Sequence, residues 1–440
     1  MAMTGAAHMK KGAIQALLPV ALGGGRIPYA RGVLAGDWIF AQGIMATDHV
    51  HGLAPEAHAS DRPLSGVPKW YGEAVGMYRR ALEVLQAAGA DFSHVVRTDQ
   101  YCPDWRAVPF LHQARREHCG DYVAPSTSIL ERGLMLPDAG MAMELIAVRP
   151  GGAREVRSVF PDGLDVPSTS SFVPVVAAGD LVFVAGFLAA WQPGDLGGIA
   201  PEAKVPEGHL WKGNRIQLEA DYIIRRKLIP ALAGAGSSLA SVVKAQVYLS
   251  DIADAPAFNQ VWARHFGEAI PATTIVPTRQ PGFAIADARC EINLVALRDA
   301  ADRKQQPICG AAGPVCDGHP LAVRADDLLF CSGMVAADEH GLVRAARVDP
   351  RQPYYASSIE AQMEYLLDVA EDACARAGTT LANVVRIQHF HTDLREFHAA
   401  CGVWQSRLPG RPLPISAVEV PAPLLVPGCT VQLDLWVYAP

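Results

Sequence analysis

Two histidines one residue apart, His389-Phe390-His391, are the first side chains in this 440-residue chain with a spacing suited to chemistry. On a strand they point to one face, a geometry compatible with metal ligation. The spacing supplies no third ligand, and the plainer reading is a pair of hydrogen-bonded histidines in a polar pocket, so no metal is assigned. Glu144, in the run Glu144-Leu145-Ile146-Ala147, offers acid-base chemistry instead. A carboxylate in a partly apolar cleft holds water and shuttles protons once its pKa rises toward neutrality. Its plainer reading is a strand-end carboxylate satisfied by backbone donors. Asp434 sits in a similar run, Asp434-Leu435-Trp436-Val437, with a shorter reach, and Asn293 in a third, where no acid-base role is open to it. Cys331 and Cys401 are formal nucleophiles, although buried cysteine more often acts as a small apolar residue.

The elements that must position these groups occur three times. Gly36-Asp37-Trp38-Ile39-Phe40-Ala41-Gln42-Gly43 returns as Gly179 to Gly186 and again as Asp326 to Gly333, with the closing glycines 143 and 147 residues apart. That period is too long for a solenoid and right for a small domain. Each copy continues into an amphipathic helix, with Val75, Tyr78, Leu82 and Leu85 on one stripe in the first and Ile359, Met363, Leu366, Ala370 and Ala373 in the third. The second carries Leu218, Tyr222 and Leu228, and Pro230 is expected to end or kink it. Ala88-Gly89, Ala235-Gly236 and Ala377-Gly378 read as glycine stops. A strand opening Val-Val-Arg/Lys follows in each copy and closes on Asp104, Asp251 or Asp393, placed to cap a second helix. A Pro-x-x-Thr/Ser strand and a final strand complete the unit. The order predicts an α+β fold, a mixed sheet with two helices on one face.

Net charge is −7 with no long basic run, which argues against nucleic acid as the main partner. Nine scattered cysteines without a CxxC pair read as reduced intracellular thiols. Lys10-Lys11 and the apolar residues to Leu22 faintly resemble a secretory signal, but Gln15 and Pro19 interrupt them, so residues 1–25 read as a cytoplasmic N-terminal segment. No apolar run reaches membrane-spanning length. Linkers are expected at Pro150–Ser170 and Arg298–Gly318, where Gly, Pro and charge cluster.

From Pro28-Tyr29-Ala30-Arg31-Gly32-Val33 through the Ala-Gly…Val-Val-Arg/Lys…Asp block to the last strand, all three units resemble the RidA/YjgF family of enamine/imine deaminases. The resemblance implies chorismate-mutase-like domains at 26–150, 168–298 and 315–440, packed as an intramolecular pseudo-trimer with clefts between units. It also implies a cofactor-free hydrolase acting on an imine, enamine or related C–N bond of a small metabolite, with no nucleic-acid or membrane partner and room for a further homodimer. By this resemblance the cleft tyrosine falls on Tyr29, Phe172 and His319, the helix-borne asparagine on His112, Asn259 and Cys401, and the water-orienting glutamate on Glu144, Asn293 and Asp434. Glu144 would hold the water, with Tyr29 or His319 orienting substrate. His112, as a possible general base, and Ser128 would complete the lining. The cleft holding Asn293 is expected to be the degenerate one. The family's carboxylate-clamping arginine is replaced by Thr127, Thr273 and Ile415, followed by Ser128, Thr274 and Ser416, and neither threonine nor isoleucine can make its bidentate contact. Arg31, Arg279 and Arg411 are the nearest replacements in sequence. Two rivals stand beside this reading: a metabolite-binding protein without turnover, and a chorismatase-like or lyase activity on the same fold.

Overall fold

The computed structural model describes residues 14–440 apart from 23, 59–67, 165, 167–171, 192–196, 210, 303, 311–317, 350 and 353. Lys10, Lys11 and Gly12, and Ser170 of the first expected linker, lie outside the described residues. The fold is mixed α+β. Three large sheets share one strand order, and within each, among the described residues, the parallel neighbours are the long strand after the first helix and the strand after the second: Val95–Cys102 with Ser126–Leu130, Val242–Leu249 with Ala272–Pro277, and Val384–His391 with Ile415–Glu419. No helix among the described residues is long and apolar enough to cross a membrane.

Each sheet begins earlier than the sequence reading placed it. Ile14–Leu22, expected to be a free N-terminal segment, pairs antiparallel with Ile27–Ala35 at the sheet edge. Pro19, which spoils a signal-like helix, is tolerated on an edge strand because its missing N–H costs no ladder bond there. Within the expected linkers, Val156–Val159 and Gln306–Ile308 add the corresponding edge strands of the second and third sheets. Short strands of this kind protect a sheet edge from pairing with another chain.

The helical punctuation follows the sequence closely. Gly89, Gly236 and Gly378 take φ of 77°, 71° and 73°, the left-handed stop that glycine adopts without penalty. The carboxylates of Asp104, Asp251 and Asp393 accept from the amides of Arg106, Ala253 and Arg395, capping a short 3₁₀ turn that leads into each second helix. Pro230 does disturb its helix: Arg215–Tyr222 passes through a π-helical stretch at Ile223–Leu228 before Ile229–Gly234 resumes.

The sheets meet around a shared interior. Trp38, Phe40 and Val96 of the first, Phe183, Val243 and Val295 of the second, and Phe330, Val385 and Trp436 of the third form one apolar cluster. Beyond it lies a buried polar axis. Arg97, Lys244 and Arg386 occupy one register position in the three long strands, and Asp99, Glu144 and Asp434 supply three acids among them, so the formal charges balance. Backbone bonds cross every boundary between sheets: Arg279 to Leu130, Gly333 to Thr273, and Ala30 to Leu413.

Candidate functional site

A cavity of about 510 Å³ opens between the first and second sheets. From the first come His112 and Arg115 on helix Val108–Cys119, and Ser126 and Ser128 on the strand beside it. The second contributes Phe172, Phe187, Phe283, Lys227 from the π-helical stretch, and Glu291 on the last strand. Most of the wall is apolar, and Val108, Leu130 and Leu188 extend it.

Local geometry explains how these groups arrive. Strand alternation sends Ser126 and Ser128 to the cavity side and Thr127 to the polar axis, where its hydroxyl accepts from Asn293 Nδ2 at 2.9 Å. Arg115 lies three residues beyond His112, one face of the same helix, and its Nη1 donates to Ser126 Oγ at 3.3 Å. Gly186 admits Glu291: a Cβ at that position would overlap the Glu291 carboxylate and lie 2.8 Å from Thr127 Oγ1. The closing glycine of the repeat signature therefore serves contact between units. Gly43 and Gly333 do the same, packed against Ile415 and Thr274 of a neighbouring sheet.

Glu291 is the chemically distinctive group. Burial, with the nearby charge of Asp99 adding to it, pushes its carboxyl up to about 8. It is therefore mostly protonated at neutral pH and able both to give and to take a proton. His112 is held the other way, down to about 3, by burial and by the positive charges of Arg115 and Arg116. It is a neutral hydrogen-bonding group at neutral pH, and a weaker base than a free imidazole.

Of the residues singled out from the sequence, the structure brings His112, Ser128 and Phe172 into this cavity. Glu144 is elsewhere, in the polar axis: its carboxylate accepts from Arg386 Nη2 and from Gln388 Nε2, both at 2.9 Å. Burial outweighs Arg386 and raises its pKa, yet the group is enclosed by protein partners. Asp434 meets Lys244 at 2.9 Å and Thr274 Oγ1 at 2.7 Å, and Ser416 bonds Glu144. Thr273 donates to its own neighbour, the Pro271 carbonyl. Ladder register pairs Asp99 with Thr127, Gln246 with Thr274 and Gln388 with Ser416, so the first copy is offset by one residue from the sequence alignment.

Tyr29 is buried where the first sheet meets Leu413, its hydroxyl donating to the Gln42 carbonyl and its ring against His49. His49 is thus half-buried, whereas His51 is exposed and pairs with Asp48. His319 and Asn259 are half-buried and line no described cavity, and Cys401 is fully buried with its thiol pushed up to about 12. Among the arginines proposed as replacements, Arg31 is held by Glu83 and the Arg80 carbonyl, and Arg411 borders a separate hollow beside Asn383. Arg279 stops short of the cavity, donating to the Pro103 carbonyl.

His389 and His391 follow the plainer reading. Trp404 Nε1 donates to His389 Nε2 at 2.9 Å, leaving His389 Nδ1 to donate to His391 Nε2 at 3.1 Å. Among the described residues no group of three or more His, Cys, Asp or Glu side chains is placed to hold a metal.

Glu291, Arg115 and Lys227 were missed by the sequence reading. The available signals were modest: Glu291 lies two residues before Asn293 on one strand face, and Arg115 one helical turn from His112.

A family model described as endoribonuclease L-PSP matches residues 164–298 and 318–438. The 3-aminoacrylate deaminase RutC of Acinetobacter baylyi is 33% identical over 138 residues, covering 31% of this chain and 94% of that protein. A RutC family protein of Pyrococcus horikoshii is 31% identical over 125 residues, covering 28% of this chain and 84% of its own. Among solved structures, a chorismatase covers 79% of this chain and 94% of its own at 13% identity and a TM-score of 0.49.

Proposed function

The chain belongs to the endoribonuclease L-PSP family, which takes in the RutC and RidA proteins, and we propose that it is an aminohydrolase cleaving an imine or enamine C–N bond in the cavity between its first two units. The observation that carries this reading is Glu291, a buried carboxyl poised near neutrality at the wall of a large cavity. Protonated Glu291 gives its proton to the imine nitrogen, or to the enamine carbon, producing an iminium. As a carboxylate it then takes a proton from water while the water oxygen bonds to the iminium carbon. Glu291 then protonates the carbinolamine nitrogen, the C–N bond breaks to release ammonia, and the hydroxyl proton returns to Glu291 as the carbonyl forms. Ser128 and neutral His112 orient the polar end of the substrate, and the cations Arg115 and Lys227 favour an anionic one.

The three units at 26–150, 168–298 and 315–440, each extended by its edge strand, form a pseudo-trimer in this account. The cyclic contacts support it: Asn293 to Thr127, Asp434 to Thr274, and Glu144 to Ser416 each join the last strand of one unit to the parallel edge of another. The position of Glu291 holds Ala142 in the first unit and Gln432 in the third, neither able to transfer a proton at neutral pH. The active cleft is thus the one built on the strand of Asn293, reversing the sequence expectation that it would be degenerate. Ammonia release from imines generated in place by an amino-acid oxidase tests the function. Acceleration by the wild type that falls at least about 100-fold in Glu291→Gln supports it; acceleration that survives the substitution removes the mechanism.

A further inference from the structure

The second helix of each unit is entered through an aspartate-capped 3₁₀ turn. The residue after the cap is Trp105 in the first unit, Ile252 in the second and Leu394 in the third. Trp105 lines the cavity, and it also borders a second hollow of about 390 Å³ walled by Pro103, Asp104, Arg106 and Arg279. Trp105, Leu130 and Pro281 line both spaces, so these three side chains form the partition between them. Leu130 is buried, whereas Trp105 is a large ring left 61% exposed.

The turn that carries this ring is held from both units. Asp104 accepts from the Arg106 amide and pairs with the Arg106 guanidinium at 2.5 Å. That guanidinium lies 5.4 Å from the centroid of the Trp70 ring, and Arg279 of the second unit donates to the Pro103 carbonyl. The indole itself has no hydrogen-bonding or stacking partner among the described residues. Glu291 and Phe283 are almost wholly buried and Trp105 is not, so the indole stands at the outer end of the cavity. An exposed aromatic face there gains burial only when an apolar group lies against it. We propose that Trp105 is a specificity-determining residue: its ring ends the apolar space, covers the apolar end of a bound ligand and limits the length of that end. As applied to substrate, an imine or enamine with an apolar substituent, this rests on the deaminase reading; length discrimination in binding does not.

The probes are the straight-chain alcohols from butan-1-ol to decan-1-ol, titrated calorimetrically into the full chain. Each added methylene should tighten binding about fourfold while the chain fills the inner space, and in the wild type the gain should stop within the series. In Trp105→Ala it should continue for at least two further carbons, because the two spaces are then joined, while Trp105→Phe keeps the stop. Melting curves identify a variant that has lost its fold; Trp105→Leu, which places the third unit's residue type there, then carries the comparison. Identical length profiles in the wild type and a folded Trp105→Ala, a wild-type profile without a stop, or no binding of any alcohol overturns the proposal. Imines generated from alanine, norleucine and tryptophan separate the two readings. Should the length profile shift as expected while no imine is hydrolysed, the deaminase reading falls and the role of Trp105 stands; hydrolysis with a length preference unchanged in Trp105→Ala does the reverse.

Discussion

Glu291 and Asn293 lie two residues apart on one strand, and that step separates the cavity from the polar axis. Asn293 bonds Thr127 in the interior, while Glu291 reaches past Gly186 to the cavity wall. Glu144 occupies the register of Asn293 and so belongs to the axis.

Glu144→Gln is expected to lower stability, not chemistry. Removing one partner of a buried ion pair leaves Arg386 undercompensated, at a cost of about 3 kcal/mol. Denaturant unfolding should show this, with activity per folded molecule near that of the wild type.

Gly186→Ala should impair the site directly. The added methyl overlaps the Glu291 carboxylate and crowds Thr127, so activity should fall about tenfold or more and stability by about 1–3 kcal/mol. Gly198→Ala is the control, since nothing lies within 4 Å of its added Cβ.

How much of this was legible in the sequence depends on which spacing carried the information. The glycine stops and aspartate caps were legible because each depends on a few adjacent residues. The edge strands Val156–Val159 and Gln306–Ile308 were not, because short, exposed strands look like linkers until a partner is present. The polar axis was invisible for another reason. In the sequence Arg97, Lys244 and Arg386 mark only the start of a strand, and the meeting of three sheets buries them against Asp99, Asp434 and Glu144. The site was half legible: His112, Ser128 and Phe172 follow from the family resemblance, whereas Glu291, Arg115 and Lys227 had no counterpart in that reading.

Acid should weaken the third unit through its histidine pair. Burial holds His391 at about 4, against an ordinary value near 6.5, and holds His389 well below its ordinary value. As pH falls from about 6.5 the unfolded chain takes up these protons first, so stability is lost on the way down to about 4. In His391→Gln the loss of melting temperature over that interval should be smaller.

Glu291 gives the opposite slope. Its folded-state pKa of about 8 lies above the unfolded value of about 4.3, so between them the folded state keeps a proton that the unfolded state has released. Stability from this group is complete below about 4.3 and lost as pH rises through 8. The melting temperature of Glu291→Gln should therefore gain on that of the wild type between pH 5 and pH 8.

The most direct test is the pH dependence of kcat/KM for imine hydrolysis in the wild type and in Glu291→Gln. The account predicts a wild-type limb with an apparent pKa near 8 that is absent from the weak residual activity of the variant. A limb near 8 that persists in Glu291→Gln at undiminished rate would contradict it.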